Sequence, residues 1–217
     1  MDTYSEIIEG NRRFRRTNSE FRALANGQHP KHVVIACSDS RVEPEATMNS
    51  KFGDLFVIRV AGEVIGTSSM ASVEFAVKEL GVMSVIVICH TKCGAVTAAQ
   101  RLLNKTYKGD LDRRSALYRD ISRIAATISK DPRNMDDLTH AIIDNACAQV
   151  SVLKNSPIIK KAEKRGLKIR VAVYDVEIGS LRFLHRTPST NRAKSLHPIV
   201  DRVPSWVSNI FTALALK

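Results

Sequence analysis

Two short runs of the sequence combine residue types that bind metal ions. A Cys-Ser-Asp-Ser-Arg run covers 37–41, and a His-Thr-Lys-Cys-Gly run covers 90–94. Two thiolates and one imidazole are ligands that zinc prefers, and a His-x-x-Cys spacing lets both side chains reach one ion. Taken singly, Cys37, His90 and Cys93 are more simply interpreted as buried core side chains, because cysteine is often buried. The residue types therefore indicate either a zinc site or a set of core residues.

Each run follows a stretch of apolar and β-branched residues of strand length. Strands that are apolar on both faces are typical of a parallel sheet covered by helices. Ligands of such sheets bind at the carboxyl ends of the strands, so both runs are expected at one edge of the sheet. The predicted strands cover 32–37, 55–60, 82–89, 168–174 and 181–184.

Helices are predicted between these strands from their periodicity and end signals. Apolar residues recur from Val73 to Leu80 at helical spacing, with Ser68 or Ser69 as the N-cap and Gly81 as the stop. Further helices are predicted over 95–103, 113–129 and 136–154. The pattern predicts an α/β fold: a three-layer domain whose central, mostly parallel sheet has four parallel strands and an antiparallel edge strand, flanked by helices.

The segments outside this pattern are interpreted as terminal extensions of a single domain, 1–217. Residues 1–28 are expected to form an N-terminal helical arm, and 30–186 the catalytic α/β core. Residues 187–217 are expected to form a C-terminal extension with a short helix that begins near Pro204. An apolar stripe around Trp206 in that helix is expected to pack on the body of the protein or on a second subunit.

Composition excludes several classes of protein. The 217 residues are 44% hydrophobic and 25% charged, which is typical of a globular protein and excludes a disordered or collagen-like chain. No apolar stretch is long enough to span a membrane, and no secretory signal is recognised at the N-terminus, so a cytoplasmic location is predicted, with an organelle as the alternative. The net charge of +11 raises the possibility of a nucleic-acid partner. The basic residues are spread along the chain and aromatic residues are only 6%, so no nucleic-acid binding is expected.

The two runs, in this order and each after a strand, resemble the motifs of the β-class carbonic anhydrases. The resemblance begins at Glu9–Phe14, continues through Gly53–Arg59 and Ser72–Ala76, and reaches Tyr174–Val176 and Gly179. It implies a zinc enzyme that reversibly hydrates carbon dioxide to bicarbonate and a proton by attack of zinc-bound hydroxide. Members are dimers or larger, so a homodimer or homotetramer is implied.

The resemblance also implies a role for individual residues. Cys37, His90 and Cys93 would bind Zn²⁺, and Asp39 and Arg41 would form a catalytic dyad beside it. Arg41 would hold Asp39 by a bidentate pair in an open site. In a closed state, Asp39 would leave Arg41 and become the fourth zinc ligand.

Two glycines are expected at the substrate. Gly62, after the second strand, would bring backbone close to it, and Gly94 would let the turn after Cys93 approach the metal. The remaining cysteines, Cys89 and Cys147, are predicted to be core thiols. Other histidines lack the spacing of ligands: His29, His32, His140, His185 and His197.

Four positions depart from the pattern of the family. Val60 and Glu63 stand where small polar amides are usual, Ser50 stands where glutamine is common, and Cys89 replaces a frequent glycine. These departures concern the substrate preference of the site. The alternative to carbon dioxide hydration is therefore hydrolysis of carbonyl sulfide or carbon disulfide at the same zinc site.

Overall fold

The structure, a computed structural model, describes residues 3–109, 112–128 and 137–184. The predicted C-terminal extension 187–217, with its helix, His185 and His197 lie outside the described residues. The helices are α1 (Thr3–Thr17), α2 (Pro44–Thr47), α3 (Thr67–Lys78), α4 (Gly94–Leu103), α5 (Ala116–Thr127), α6 (Leu138–Leu153) and α7 (Pro157–Lys164), with 3₁₀ turns at Glu20–Leu24 and Ala61–Glu63.

Five strands form one sheet in the order β2-β1-β3-β4-β5. The first four are parallel, and β5 runs antiparallel to β4 at the edge, which confirms the predicted fold class. The strands are β1 (His32–Ala36), β2 (Leu55–Arg59), β3 (Ser84–His90), β4 (Lys168–Tyr174) and β5 (Leu181–Phe183).

The strand order reverses on either side of β1. The chain goes from β1 to β2 on one side and then crosses to β3 on the other. Such a switch point leaves a crevice at the carboxyl ends of the two central strands, where α/β folds bind ligands. Because β1 and β3 are parallel neighbours, with Ala36 opposite Ile88, the runs that follow these two strands are placed side by side.

Alternating side chains of the central strands enter two apolar clusters. Val33 and Ile35 of β1 belong to the larger cluster, which includes residues of α3 to α7. Val34 and Ala36 point to the other face and pack in a smaller cluster with Val42. Both faces of β1 are therefore buried, as expected for a central parallel strand.

The start of α3 differs from the sequence prediction. Its N-cap is Gly66, and neither Ser68 nor Ser69 occupies that position. Ser69 instead lies one turn inside the helix, where its hydroxyl accepts the Gly66 N–H at 2.8 Å. A serine at this third helical position can satisfy the backbone N–H of the cap residue, so a glycine without a side chain suffices as the cap.

Candidate metal centre

The structure brings Cys37, His90 and Cys93 together at the switch point. Cys37 directly follows β1, His90 ends β3 and Cys93 is the N-cap of α4. Their possible ligand atoms all lie within 4.8 Å of one another, and within the described residues no other group of three or more His, Cys, Asp or Glu side chains is arranged to hold a metal. All three residues are at most 4% exposed.

The ring of His90 is oriented for a ligand at Nε2. Its Nδ1 lies 3.0 Å from the carbonyl oxygen of Thr91, so Nδ1 carries the hydrogen and donates it. Nε2 is buried, and no residue of the described ranges supplies it with a hydrogen bond. A buried nitrogen lone pair without a donor is costly, and a metal ion at this position would satisfy it.

The two sulfur atoms are spaced for one ion. The Sγ atoms of Cys37 and Cys93 lie 4.0 Å apart, and all four cysteines are free thiols. Zinc–sulfur bonds of about 2.3 Å place two tetrahedral sulfur ligands roughly 3.8 Å apart. The donor set and its spacing therefore fit a zinc ion.

The protonation of the two thiols also favours a cation. The Cys93 thiol, together with His90 and the Gly62 N–H, lowers the pKa of Cys37 to about 4 against the opposing effect of burial. The same pairing with Cys37, followed by burial, raises the pKa of Cys93. One negative charge is thus stabilised on the pair, and ionising both sulfurs requires a positive charge between them.

Asp39 is held beside this cluster by Arg41. The guanidinium donates from Nε to Oδ1 at 2.9 Å and from Nη2 to Oδ2 at 2.7 Å, and the Arg41 backbone N–H adds a bond to Oδ1 at 3.0 Å. The Arg41 hydrogen bonds hold the pKa of Asp39 well below its usual range. Asp39 Oδ2 lies 3.9 Å from His90 Nε2, so this carboxylate borders the space that the three candidate ligands surround.

Arg41 has a further anchor in the turn that follows β3. Its Nη2 also donates to the carbonyl oxygen of Lys92 at 3.2 Å. Lys92 has a positive φ of 58°, and its Nζ pairs with Glu177 at 2.6 Å. The run after β3 therefore helps to hold the dyad that follows β1.

Arg59 is a site residue that the sequence prediction missed. Its guanidinium donates from Nη2 to the Asp39 carbonyl at 2.7 Å and from Nε to the Cys37 carbonyl at 3.3 Å, and it pairs with Glu43 at 2.8 Å. The available signal was a basic residue at the end of an apolar strand, since Arg59 ends β2 opposite Ala36 of β1. Arg59 thus fixes the backbone that carries Cys37 and Asp39.

The two glycines expected at the substrate have different surroundings. Gly62 donates its N–H to Cys37 Sγ at 3.3 Å and has a φ of +66°, and a Cβ there would lie 2.6 Å from Ile124 Cδ1. Gly94 is the first residue of α4, and a Cβ there would meet nothing within 4 Å. Gly62 is required by its conformation and close packing, whereas nothing in the surroundings of Gly94 demands glycine. Substrate binding by either residue stays a prediction.

Glu63, next to Gly62, is a fully buried carboxyl group. It has a positive φ of 45°, and burial, followed by the nearby Cys37, raises its pKa to about 8, while a hydrogen bond from Asn145 opposes the increase. Its Oε2 has no hydrogen-bond partner in the described part of the chain. Glu63 is therefore protonated through most of the neutral range, because an unpaired buried carboxylate is costly.

The two remaining cysteines are core thiols, as predicted. Cys89 and Cys147 belong to the larger apolar cluster. His32 bonds Ser84 and His140 bonds Asp137, and His29 is exposed. Within the described ranges, no helix combines the length and apolarity required to cross a membrane.

Comparisons with known proteins place this centre in a family context. A family model described as carbonic anhydrase matches residues 32–181. A carbonic anhydrase of Pseudomonas aeruginosa is 32% identical over 217 aligned positions, covering 91% of this chain and 95% of that protein. A carbonic anhydrase of Synechococcus elongatus is 32% identical over 197 positions, covering 85% of this chain and 72% of that protein. The crystal structure of the β-carbonic anhydrase CafA of Aspergillus fumigatus superposes with a TM-score of 0.74 at 28% identity, covering 87% of this chain and 93% of that one.

Proposed function

The chain belongs to the β-class carbonic anhydrase family, and from that membership we propose that it reversibly hydrates carbon dioxide to bicarbonate and a proton. The observation that carries the proposal is the convergence of Cys37, His90 and Cys93 on one point, with the ionised Asp39 beside it. A buried cluster of three such ligands with a carboxylate on one side is suited to metal-assisted hydration of a small electrophile.

The atoms that would hold the metal are Cys37 Sγ, His90 Nε2 and Cys93 Sγ, and the chemistry of this donor set favours Zn²⁺. Zinc held by three protein ligands would supply Lewis acidity, which lowers the pKa of a bound water to about 7 in a three-histidine carbonic anhydrase site. Two thiolates donate more negative charge than two imidazoles, so a neighbouring hydrogen-bond acceptor is needed to help the reacting water lose its proton.

Asp39 is the residue that can serve as that acceptor. A carboxylate has about two acceptor positions on each oxygen. Oδ1 accepts two hydrogen bonds from Arg41, whereas Oδ2 accepts one. The free position is thus on Oδ2, the oxygen that lies 3.9 Å from His90 Nε2. Asp39 would accept a hydrogen bond there from the reacting water and orient its lone pair toward the carbon of carbon dioxide.

Arg41 keeps Asp39 in this acceptor position. Its bidentate pair and its bond to the Lys92 carbonyl support the open arrangement of the dyad. For Asp39 to become a fourth metal ligand, the chain would first have to break both guanidinium bonds. Arg41 is therefore the residue on which a closed state would depend.

The active unit is expected to be a homodimer or homotetramer. Tyr4, Ile7 and Ile8 of α1 are 72%, 64% and 53% exposed in the single chain, and such apolar side chains on one helix are typical of an interface between subunits. Sedimentation at micromolar concentration should give a dimer or tetramer, and a fully active monomer would contradict this expectation.

The decisive experiment is stopped-flow hydration of carbon dioxide with a pH indicator, on protein with a measured zinc content. Cys37→Ser should lose zinc and activity together, because it removes a thiolate ligand. Cys147→Ser is the matched control, because it makes the same change at a buried thiol of the apolar core, and it should retain both. Equal rates for wild type and Cys37→Ser would refute the proposed function.

The same preparations should be assayed for sulfide release from carbonyl sulfide and carbon disulfide. Carbon dioxide hydration at a much higher efficiency than either hydrolysis is expected. The reverse order would replace the proposed reaction with hydrolysis of a sulfur analogue at the same site.

A further inference from the structure

We propose that Asn145 is a positioning residue for the metal centre, because its side-chain amide fixes the turn whose Gly62 N–H bonds Cys37 Sγ. Asn145 lies on α6 and is fully buried. It is separated from Cys37 by more than 100 positions in the sequence, and its side-chain hydrogen bonds within the described residues go to Thr127, Gly62, Glu63 and Gln149 and not to a candidate ligand. The inference rests on the proposed function only in that Cys37 is taken as a metal ligand.

The amide of Asn145 holds two consecutive residues of the turn. Its Nδ2 donates to the Gly62 carbonyl oxygen and to Glu63 Oε1, both at 2.8 Å. Gly62 in turn donates its N–H to Cys37 Sγ at 3.3 Å. The carbonyl and the N–H of the same glycine are thus held by α6 and by the cysteine, so a change at Asn145 is transmitted to the sulfur through one residue.

The orientation of this amide is determined by its surroundings. Its Oδ1 accepts from Thr127 Oγ1 at 3.2 Å and from Gln149 Nε2 at 3.1 Å. Every hydrogen-bonding position of the amide therefore has a partner, and the single hydrogen of the Thr127 hydroxyl is shared with the Ile124 carbonyl oxygen at 2.7 Å. Exchanging oxygen and nitrogen would place Oδ1 against the Gly62 carbonyl oxygen, which can only accept, so the network itself selects this orientation.

Gln149 extends the same support by one helical turn. Its Oε1 accepts the backbone N–H of Ile65 at 2.8 Å, and its Nε2 bonds Asn145 as described. The segment from Gly62 to Ile65 is consequently attached to α6 at three points. Chains of buried amides that are fully satisfied hold their partners in one arrangement.

The turn needs external support because its backbone is unfavourable by itself. Gly62 and Glu63 both have positive φ values, 66° and 45°, and Glu63 is not a glycine. Such a conformation persists when the surrounding structure over-determines it. Without the Asn145 amide, the turn would relax and the Gly62 N–H would leave Cys37 Sγ.

The consequence for the metal centre is a change at the sulfur itself. A hydrogen bond to a thiolate stabilises its charge and sets its direction, and loss of such outer partners typically weakens metal binding 10- to 100-fold. A residue that served only the stability of α6 would leave the metal affinity and the electronic environment of the sulfur unchanged. The two roles are therefore separable by experiment.

The test compares full-length Asn145→Ala with wild type by chelator competition for zinc and by absorption of the cobalt(II)-substituted protein. Asn145→Ala should bind zinc about 10- to 100-fold more weakly and shift the thiolate-to-cobalt charge-transfer band. Ser151→Ala is the matched control, because Ser151 lies on the same helix and its hydroxyl bonds only the Cys147 carbonyl among the described residues. It should leave both readouts unchanged.

Thr127→Val provides a second, milder test in case Asn145→Ala does not fold. It removes the hydroxyl that lies 3.2 Å from Asn145 Oδ1 and 2.7 Å from the Ile124 carbonyl oxygen while keeping the shape of the side chain. It should shift the same band with a smaller loss of affinity. The proposal would be overturned if Asn145→Ala folds and keeps the zinc affinity and the cobalt spectrum of wild type. If Asn145→Ala does not fold, unchanged zinc affinity and an unchanged cobalt spectrum in Thr127→Val would overturn it. Wild type that binds no zinc would instead refute the proposed function itself.

Discussion

Replacing Gly62 with alanine is the sharpest test of how the metal centre is built. The substitution introduces a Cβ into a residue with a φ of +66°, at 2.6 Å from Ile124 Cδ1 and 3.2 Å from the Ala95 Cβ. A left-handed conformation costs a non-glycine residue about 1–2 kcal/mol. An extra methyl group in a packed core costs about 1–3 kcal/mol more. The free energy of unfolding should therefore fall by roughly 2–5 kcal/mol.

Thermal unfolding gives the first measurement. For a chain of this size, each kcal/mol lowers Tm by about 2–4 °C, so Gly62→Ala should lower Tm by roughly 4–20 °C. Gly94→Ala is the matched control, because its Cβ would meet nothing within 4 Å and the residue lies in the first turn of a helix. That variant should stay within about 1 kcal/mol of wild type, on the stabilising side, because alanine favours the helix.

A double-mutant cycle separates the two costs of Gly62→Ala. Ile124→Val removes the Cδ1 methyl group, which is the atom nearest to the new Cβ, at a cost of about 0.5–1.5 kcal/mol by itself. In the double variant the overpacking is relieved, and a favourable coupling of about 1–3 kcal/mol should appear. The cost of the left-handed backbone conformation of the alanine at position 62 remains in the double variant.

The same variant should weaken metal binding, because displacement of the Gly62 backbone moves its N–H away from Cys37 Sγ. Gly62→Ala with wild-type stability and wild-type zinc affinity would refute the reasoning. An additive double-mutant cycle would refute the steric part of it alone.

Three further changes test other parts of the structure. The pKa of Glu63 is raised from 4.5 to about 8, so the folded state keeps a proton that the unfolded chain releases between these values. Relative to Glu63→Gln, wild type should therefore lose up to ~1.4 kcal/mol of stability per pH unit across this range, and the difference should level off above it. Both proteins share the opposite contribution of Cys37, whose pKa is lowered, so urea unfolding should compare the two, and parallel curves would contradict the assignment. Arg41→Lys should raise the pKa of Asp39 and lower kcat about 10- to 100-fold while zinc is retained, because lysine cannot form the bidentate pair. A pH–rate profile equal to that of wild type would count against the dyad. Ser156→Ala removes the N-cap of α7 and the partner of Glu74 at 2.6 Å, so calorimetry should show a loss of about 1 kcal/mol.

Much of the fold could be predicted from local pattern. The strand predictions lie within two residues of the observed strands at each end, because continuous apolar runs of this length, bounded by polar turns, are typical of buried strands. The helix α7 was not predicted, although Ser156 followed by Pro157 is a typical helix start. Its eight residues directly follow α6 after a short turn, and the apolar periodicity of a two-turn helix is too brief to distinguish it from a loop.

The sequence by itself determined the types of the candidate ligands and their location at the ends of two strands. Parallel strands end at one edge, so Cys37, His90 and Cys93 could be assigned to one site from their positions along the chain. The resemblance to the β-class carbonic anhydrases, and not the spacing, implied a pair of Asp39 with Arg41, and the structure has that bidentate pair.

The tertiary structure alone decided which backbone and side-chain groups support those ligands. The Gly62 N–H bonds a sulfur 25 positions away, Arg59 bonds a carbonyl 20 positions away, and Asn145 bonds the Gly62 carbonyl across 83 positions. Such bonds depend on how α6 and the strands pack against one another, and a backbone N–H has no identity in a sequence. Local spacing could therefore indicate the candidate metal ligands, whereas the hydrogen bonds that orient them required the packed fold.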